Sequence, residues 1–272
     1  VTTTAAAAPL VYAIGIAPAQ ASTDDDVVPV WIESEVLITG DEITLMGPGG
    51  SFGLELVETT PTDSIDVVES ESLVELGAVF EDPQASTVEY ELDLPSGASA
   101  EIVVNDDGEE SILLTNENGD LLGGIMQYEA LDAAGEPVQA ALGIEGTMVT
   151  QSLVAPANVV YPVEVSIASG TVWYKNAWVH KVTKGYIVNA DPTPLGRQQI
   201  AWNTHSTHVL HVKSILGTAM TNTYWNWNIE QQFVCHVVGA YFPSGVYNME
   251  SWQPALSWGE IANPWDRCNR IK

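Results

Sequence analysis

Between residues 88 and 94 apolar and carboxylate side chains alternate, with Val88, Tyr90, Leu92 and Leu94 set against Glu89, Glu91 and Asp93. A period of two sends the two sets to opposite faces of a strand, so the segment reads as half-buried with its carboxylates in water. Pro95 ends it. Ile102-Val103-Val104 and Ile112-Leu113-Leu114 flank Asp106-Asp107-Gly108, and Asn118-Gly119 leads back to Leu121-Leu122, which is the turn chemistry of two successive hairpins. Further turns are predicted at Ala134-Gly135 and Glu145-Gly146. From Val27 to Ser169 short apolar runs recur without a helical period, and this predicts an antiparallel β-sandwich-like or barrel-like sheet. Val67, Val68, Leu73, Val74 and Leu76, within residues 59–81, suit either a short helix or strands.

The vocabulary changes after Val163. Trp173, Tyr174, Trp178 and Tyr186-Ile187-Val188 predict a hairpin or meander, and residues 196–216 predict a helix with Ile200, Val209, Val212 and Leu216 roughly on one side. Phe233-Val234 and Val237-Val238 bracket Cys235-His236 in what reads as a buried strand, and Pro254, Gly259 and Pro264 mark a loop-rich tail. The fold class expected is therefore mainly β: an N-terminal antiparallel sandwich-like domain followed by a small α+β domain. The domains predicted are an uncharged Ala-rich arm or signal-like segment at 1–26, an acidic all-β domain at 27–166 and a Trp/His-rich C-terminal domain at 167–272.

Charge sharpens that division. Residues 1–174 carry 31 carboxylates and no base, whereas 175–272 carry five acids and all eight Lys and Arg, all five His, both Cys and most of the Trp. A net charge of −28 excludes nucleic acid as a partner, since phosphate affinity comes from clustered bases releasing counterions, and it disfavours anionic membrane. So much like charge repels itself, a cost that salt or divalent cations relieve; calcium is the cation that hard carboxylate oxygens would take.

Candidate chemistry gathers in the C-terminal region. His205, His208 and His211 are three apart, so on a helix two imidazoles, His205 and His208, could share a zinc ion, with His236 or Glu230 as further ligands; the alternative is a polar or partly buried helix face. Cys235 beside His236 would point the other way on a strand and cannot form a nucleophile pair. Glu250 and Glu260 flank Trp252 and Trp258, a glycosidase-like pair if they faced each other across a cleft, but loop carboxylates of this kind more often cap or solvate. No Gly-x-Ser-x-Gly elbow is present, and the expectation is that the protein is not an enzyme. Trp225, Trp227 and Trp252 are candidates for stacking on a sugar or protein surface, with burial in the core as the alternative. Cys235 and Cys268 would pair in a secreted protein and would be two free buried thiols in a cytosolic one.

Residues 1–23 carry no charge. Ala19-Gln20-Ala21 has the small-x-small form of an export cleavage site and Asp24-Asp25-Asp26 follows, but a basic segment ahead of the apolar stretch is missing, and Pro9 and Pro18 break it too early for a transmembrane helix. Leu10, Tyr12, Ile14 and Ile16 alternate as in a strand, so the segment also reads as an assembly arm.

Gln232-Phe233-Val234-Cys235-His236, Tyr247-Asn248-Met249-Glu250-Ser251-Trp252-Gln253-Pro254 and Cys268-Asn269 resemble a family of secreted actinobacterial domains known as domain of unknown function 2599, over roughly residues 173–269. In that family a Cys-His pair, Trp-Asn-Leu-Glu followed by Trp-Arg-Pro, and a closing Cys-Asn-Pro are expected; this chain departs at Tyr247, Met249, Gln253 and Arg270. Residues 90–95, 119–124, 132–138 and Tyr161-Pro162-Val163 are similar to the acidic β-rich module that often precedes such domains. The resemblance implies secretion and a Cys235–Cys268 disulfide, and no reaction. The function expected is a secreted, extracellular, non-catalytic structural or binding protein that self-assembles into a homo-oligomer or filament through its arm. The alternatives are an antibacterial or envelope-binding effector, with a cell-envelope or glycan partner and a masking acidic domain, and a hydrolase of unrecognised type.

Overall fold

The computed structural model describes residues 10–14, 34–39, 42–57, 66–70, 73–81, 83, 86–104, 108–154, 159–201, 204–239, 245–262 and 268. The protein is mainly β and its sheets are antiparallel. Among the described residues seven strands make the first sheet, in the spatial order β1 (Leu10–Ile14), β2 (Ser34–Thr39), β3 (Glu42–Gly47), β4 (Gly50–Val57), β7 (Thr87–Asp93), β12 (Met148–Leu153) and β11 (Ala140–Glu145). Six make the second: β5 (Asp66–Ser70), β6 (Leu73–Phe80), β13 (Val163–Gly170), β10 (Leu121–Asp132), β9 (Glu110–Thr115) and β8 (Ser99–Val104). Residues 66–70 and 73–80 are thus strands. The β9–β10 hairpin turns where Asn118-Gly119 predicts: Gly119 has φ +80°, and the Asn116 Oδ1 accepts from the N–H groups of Asn118 and Asp120.

The two sheets share one core. Val36, Leu45, Leu54, Tyr90 and Val149 of the first pack with Leu76, Phe80, Ile112, Leu122 and Val165 of the second. In β7 the expected alternation holds, with Val88, Tyr90 and Leu92 buried and Glu91 and Asp93 exposed.

The second sheet is buried on both faces, and the doubled apolar residues in its strands are the cause. Ile112 and Leu114 face the shared core while Leu113 faces away; Leu122 and Ile125 face it while Leu121 and Met126 face away. The outward set joins a second core with Trp173, Tyr174, Leu195 and Val212. The boundary expected at 166/167 therefore falls inside β13, whose Val165 and Ile167 serve one core and Ala168 the other.

The described residues beyond β13 hold a third sheet, β14 (Tyr174–Val182), β15 (Gly185–Pro192) and β16 (Tyr247–Glu250), with helices α1 (Pro194–Gln198), α2 (His205–Tyr224), α3 (Trp227–Val238) and α4 (Trp258–Ile261). At α1 Thr193 caps by accepting from the Gly196 N–H, and the Gln199 Nε2 donates to the Ile112 carbonyl of β9. A Cβ at position 196 would stand 2.1 Å from the Trp173 carbonyl oxygen, so only glycine allows this close approach.

Two secondary-structure expectations need correction. The helix expected over 196–216 is divided because Gln199 leaves the helical path: its carbonyl accepts from the Thr204 Oγ1 and from His208, and its side chain reaches β9. α2 then passes Leu216 and breaks at Gly217 (φ 73°, ψ 163°) before resuming to Tyr224. The strand expected around Cys235 is α3. Ile229, Phe233 and Val237 recur at four-residue spacing, the Asn226 side chain caps Ile229 N–H, and Gly239 is the C-cap.

Of the arm residues, Leu10, Tyr12 and Ile14 lie in β1 and Ile16 lies outside the described residues. β1 pairs with β2 of its own chain, from Leu10 opposite Ile38 to Ile14 opposite Ser34. No helix among the described residues is long and apolar enough to cross a membrane.

Candidate functional site: histidine stripe, tryptophan surface and sheet rim

The apolar face of α2 carries the three histidines inward with Val212 and Ile215, and all three are buried. His208 is fully enclosed. Its Nε2 meets the Gln199 carbonyl, which can only accept, so Nε2 carries the proton. Burial pushes the imidazole down to about 3, which leaves it neutral and makes Nδ1 an acceptor. The Tyr174 hydroxyl, 2.6 Å away, is therefore the donor, and burial raises Tyr174 well above the usual phenol range. Trp173 covers the same ring at 4.3 Å between centroids.

Both nitrogens of His208, one of the two histidines expected to hold zinc, are thus spent on hydrogen bonds inside the core. His205 packs edge-on against Trp258 at 5.8 Å. His236 stacks on Tyr247 and its Nε2 lies 3.1 Å from the Asn248 carbonyl oxygen. Glu230, the other candidate ligand, accepts from the Lys213 Nζ at 2.8 Å and the Trp225 Nε1 at 2.9 Å; burial raises its carboxyl, but these bonds outweigh that and hold it below the usual range. Among the described residues no group of three or more His, Cys, Asp or Glu is arranged to hold a metal ion.

The other carboxylates and the cysteines are also locally engaged. Glu250 accepts from the Gln253 Nε2, and Glu260 closes a capping box with Ser257 whose bonds lower its carboxyl. Cys235 of α3 and Cys268 form a disulfide, with Cα atoms 5.6 Å apart. It is buried with Ile261 and pins the tail to α3.

The three tryptophans separate in role. Trp225 turns inward, packs edge-on against Phe233 and spends its Nε1 on Glu230. Trp252 is half-buried. Trp227, first residue of α3, remains 55% exposed on a corner where the Asn226 Nδ2 donates to the Tyr186 hydroxyl and the Asn228 Nδ2 to the Gln253 carbonyl. Spacing in the sequence marks the histidine stripe but not Tyr174 or Gln199, which answer His208 from other elements and carry no periodic signal. Neither a family model nor a curated protein matches the chain.

Proposed function

We propose that this chain is an exported, non-catalytic structural or binding protein that works by association and joins copies of itself through its amino-terminal strand. The supporting observation is the position of β1. Among the described residues it is the rim strand of the seven-stranded sheet, paired over five residues with β2 and along that side only. Residues 15–33 separate β1 from β2 along the sequence. A short rim strand can leave its own sheet and complete that of a second copy at little cost, because the pairing lost equals the pairing gained. The disulfide accords with an oxidising compartment, and membership of the domain of unknown function 2599 family belongs to the same proposal. Sedimentation of the full chain beside a chain lacking residues 1–14 tests it: the full chain should form concentration-dependent oligomers and the shortened one monomers, and oligomers of equal size in both would remove β1 from the mechanism.

The exposure of Trp227 favours a second reading, an envelope or glycan partner bound at the α2–α3 corner. Trp227→Ala should then abolish pull-down on isolated cell walls without lowering Tm, whereas unchanged retention would exclude this surface.

A further inference from the structure

Two of the chain's eight bases, Lys181 and Lys184, stand exposed at the β14–β15 turn. Lys181 lies opposite Tyr186 in the strand register, so the two side chains share a face. The Lys181 Nζ is 6.0 Å from the centroid of the Tyr224 ring, which meets Tyr186 edge-on at 5.0 Å. Trp252 borders the turn, 3.6 Å from where a Cβ of Gly185 would stand, and Asn226, which donates to the Tyr186 hydroxyl, sets the exposed Trp227 beside it. The tip of the third sheet is therefore a continuous surface of ammonium groups and partly exposed rings.

The order of layers decides what this tip can meet. Leu54 and Tyr90 of the first sheet face the core shared with the second, so the exposed Glu42, Glu55, Glu91 and Asp93 point the opposite way. The third sheet lies beyond the second, and within one chain the cationic tip and this anionic face are turned apart. Glu55 has Glu42 opposite it on one side and Glu91 on the other, and Asp93 lies opposite Gly53. Because Gly53 has no side chain, a notch of about 320 Å³ opens among the four carboxylates. They are not arranged to hold a metal ion, and the first 174 residues contain no base to answer them. A lysine, a point charge on a flexible four-carbon stem, is the side chain that reaches into such a notch.

We propose that the Lys181–Lys184 tip of one copy docks on the outer face of β3, β4 and β7 of a second, its ammonium groups among Glu42, Glu55, Glu91 and Asp93. The contact is heterologous, leaving each pair with one unused tip and one unused face, so addition can continue into a ring or a filament. It is a second interface and does not depend on β1. A net charge of −28 makes whole copies repel at a distance, whereas the docked charges attract at short range. Association should be strongest near about 0.15 M salt, where a screening length of about 8 Å quenches the first and spares the second, and lost near about 1 M, where it is about 3 Å.

The test is sedimentation of full chains carrying Lys181→Glu with Lys184→Glu, of full chains carrying Glu42→Lys, Glu91→Lys and Asp93→Lys, and of their equimolar mixture. All five positions are exposed and none lies in β1. Each variant alone sets like charges against each other and should weaken the salt-dependent association at least tenfold while keeping its Tm. The mixture should restore it, because every tip then meets a face of opposite sign. Unchanged association of either variant, or a mixture no larger than its components, would overturn the proposal. Association that is lost on deleting residues 1–14 but indifferent to both charge variants would leave β1 exchange standing and remove this interface. A parent chain that does not self-associate, yet is retained on acidic polysaccharide beads through its two lysines, would assign the tip to a glycan and equally overturn the pairing.

Discussion

The acidic sheets and the C-terminal helices and strands solve the same problem differently. The first two sheets hide apolar side chains by alternation and send their carboxylates outward, so electrostatics there is a diffuse cost. Glu42 lies opposite Glu55 across β3 and β4, and Glu55 lies opposite Glu91 across β4 and β7. The C-terminal part, poorer in aliphatic residues, packs rings instead: Tyr174 touches Phe233, Tyr247, His208 and His211. Some of its buried polar groups are answered one by one, as His208 is by Tyr174 and the Gln199 carbonyl, and a crosslink holds the tail. The contrast teaches that one half should respond to salt and the other to acid and reductant, while the second sheet, buried on both sides, couples them.

The largest effect should come from the crosslink. A disulfide closing a loop of this length contributes about 3–4 kcal/mol in the chain-entropy model, so Cys268→Ser should lower Tm by many degrees. Because Leu113, Leu121 and Met126 belong to the C-terminal core, tryptophan fluorescence and far-UV circular dichroism should be lost together; two well-separated transitions would break the coupling.

Removing the ring of His208 comes next. His208→Ala should cost about 2–4 kcal/mol through lost packing and the stranded Tyr174 hydroxyl, and Tyr174→Phe about 1–2, both read by urea denaturation.

Acid should separate the halves more gently. His208 and His211 have folded values of about 3 and about 4, below the ordinary 6.5, so the folded state binds fewer protons than the unfolded chain. Their contribution is whole above pH 6.5 and is lost as pH falls toward 4, at up to roughly 1 kcal/mol per pH unit for each histidine. Urea midpoints should fall from pH 6.5 to 5, and a flat profile would contradict the buried neutral pair.

The smallest effect lies on the acidic face. Glu55→Lys converts two like-charge oppositions into attractions and should raise stability by about 0.5–1 kcal/mol at low ionic strength, shrinking in molar salt. An unchanged or lowered midpoint would show that the carboxylate row carries no repulsive cost.

Legibility in the sequence follows the same contrast. Residues 88–94 were readable because one face meets water, so burial leaves an alternating trace. Leu113, Leu121 and Met126 were readable as strand residues, but doubled apolar positions do not say what covers the second face. Around Cys235 the pairs Phe233-Val234 and Val237-Val238 suit a strand as well as a helix, and the deciding signals were the flanking Asn226 and Gly239. The stripe at 205, 208 and 211 was visible from spacing alone. Its chemistry was not, because the groups that spend His208, Tyr174 and the Gln199 carbonyl, reach it only through tertiary folding.

Exchange of β1 between copies is tested most directly by mixing two single variants, Val11→Cys and Leu37→Cys, which alter residues opposite each other in the β1–β2 register. Under mild oxidation the mixture should yield a disulfide-linked pair containing one chain of each kind, in preference to like pairs, while a chain carrying both changes should lock within itself and lose oligomers. Abundant crosslinking within the double variant with none between the mixed chains would contradict association through this strand.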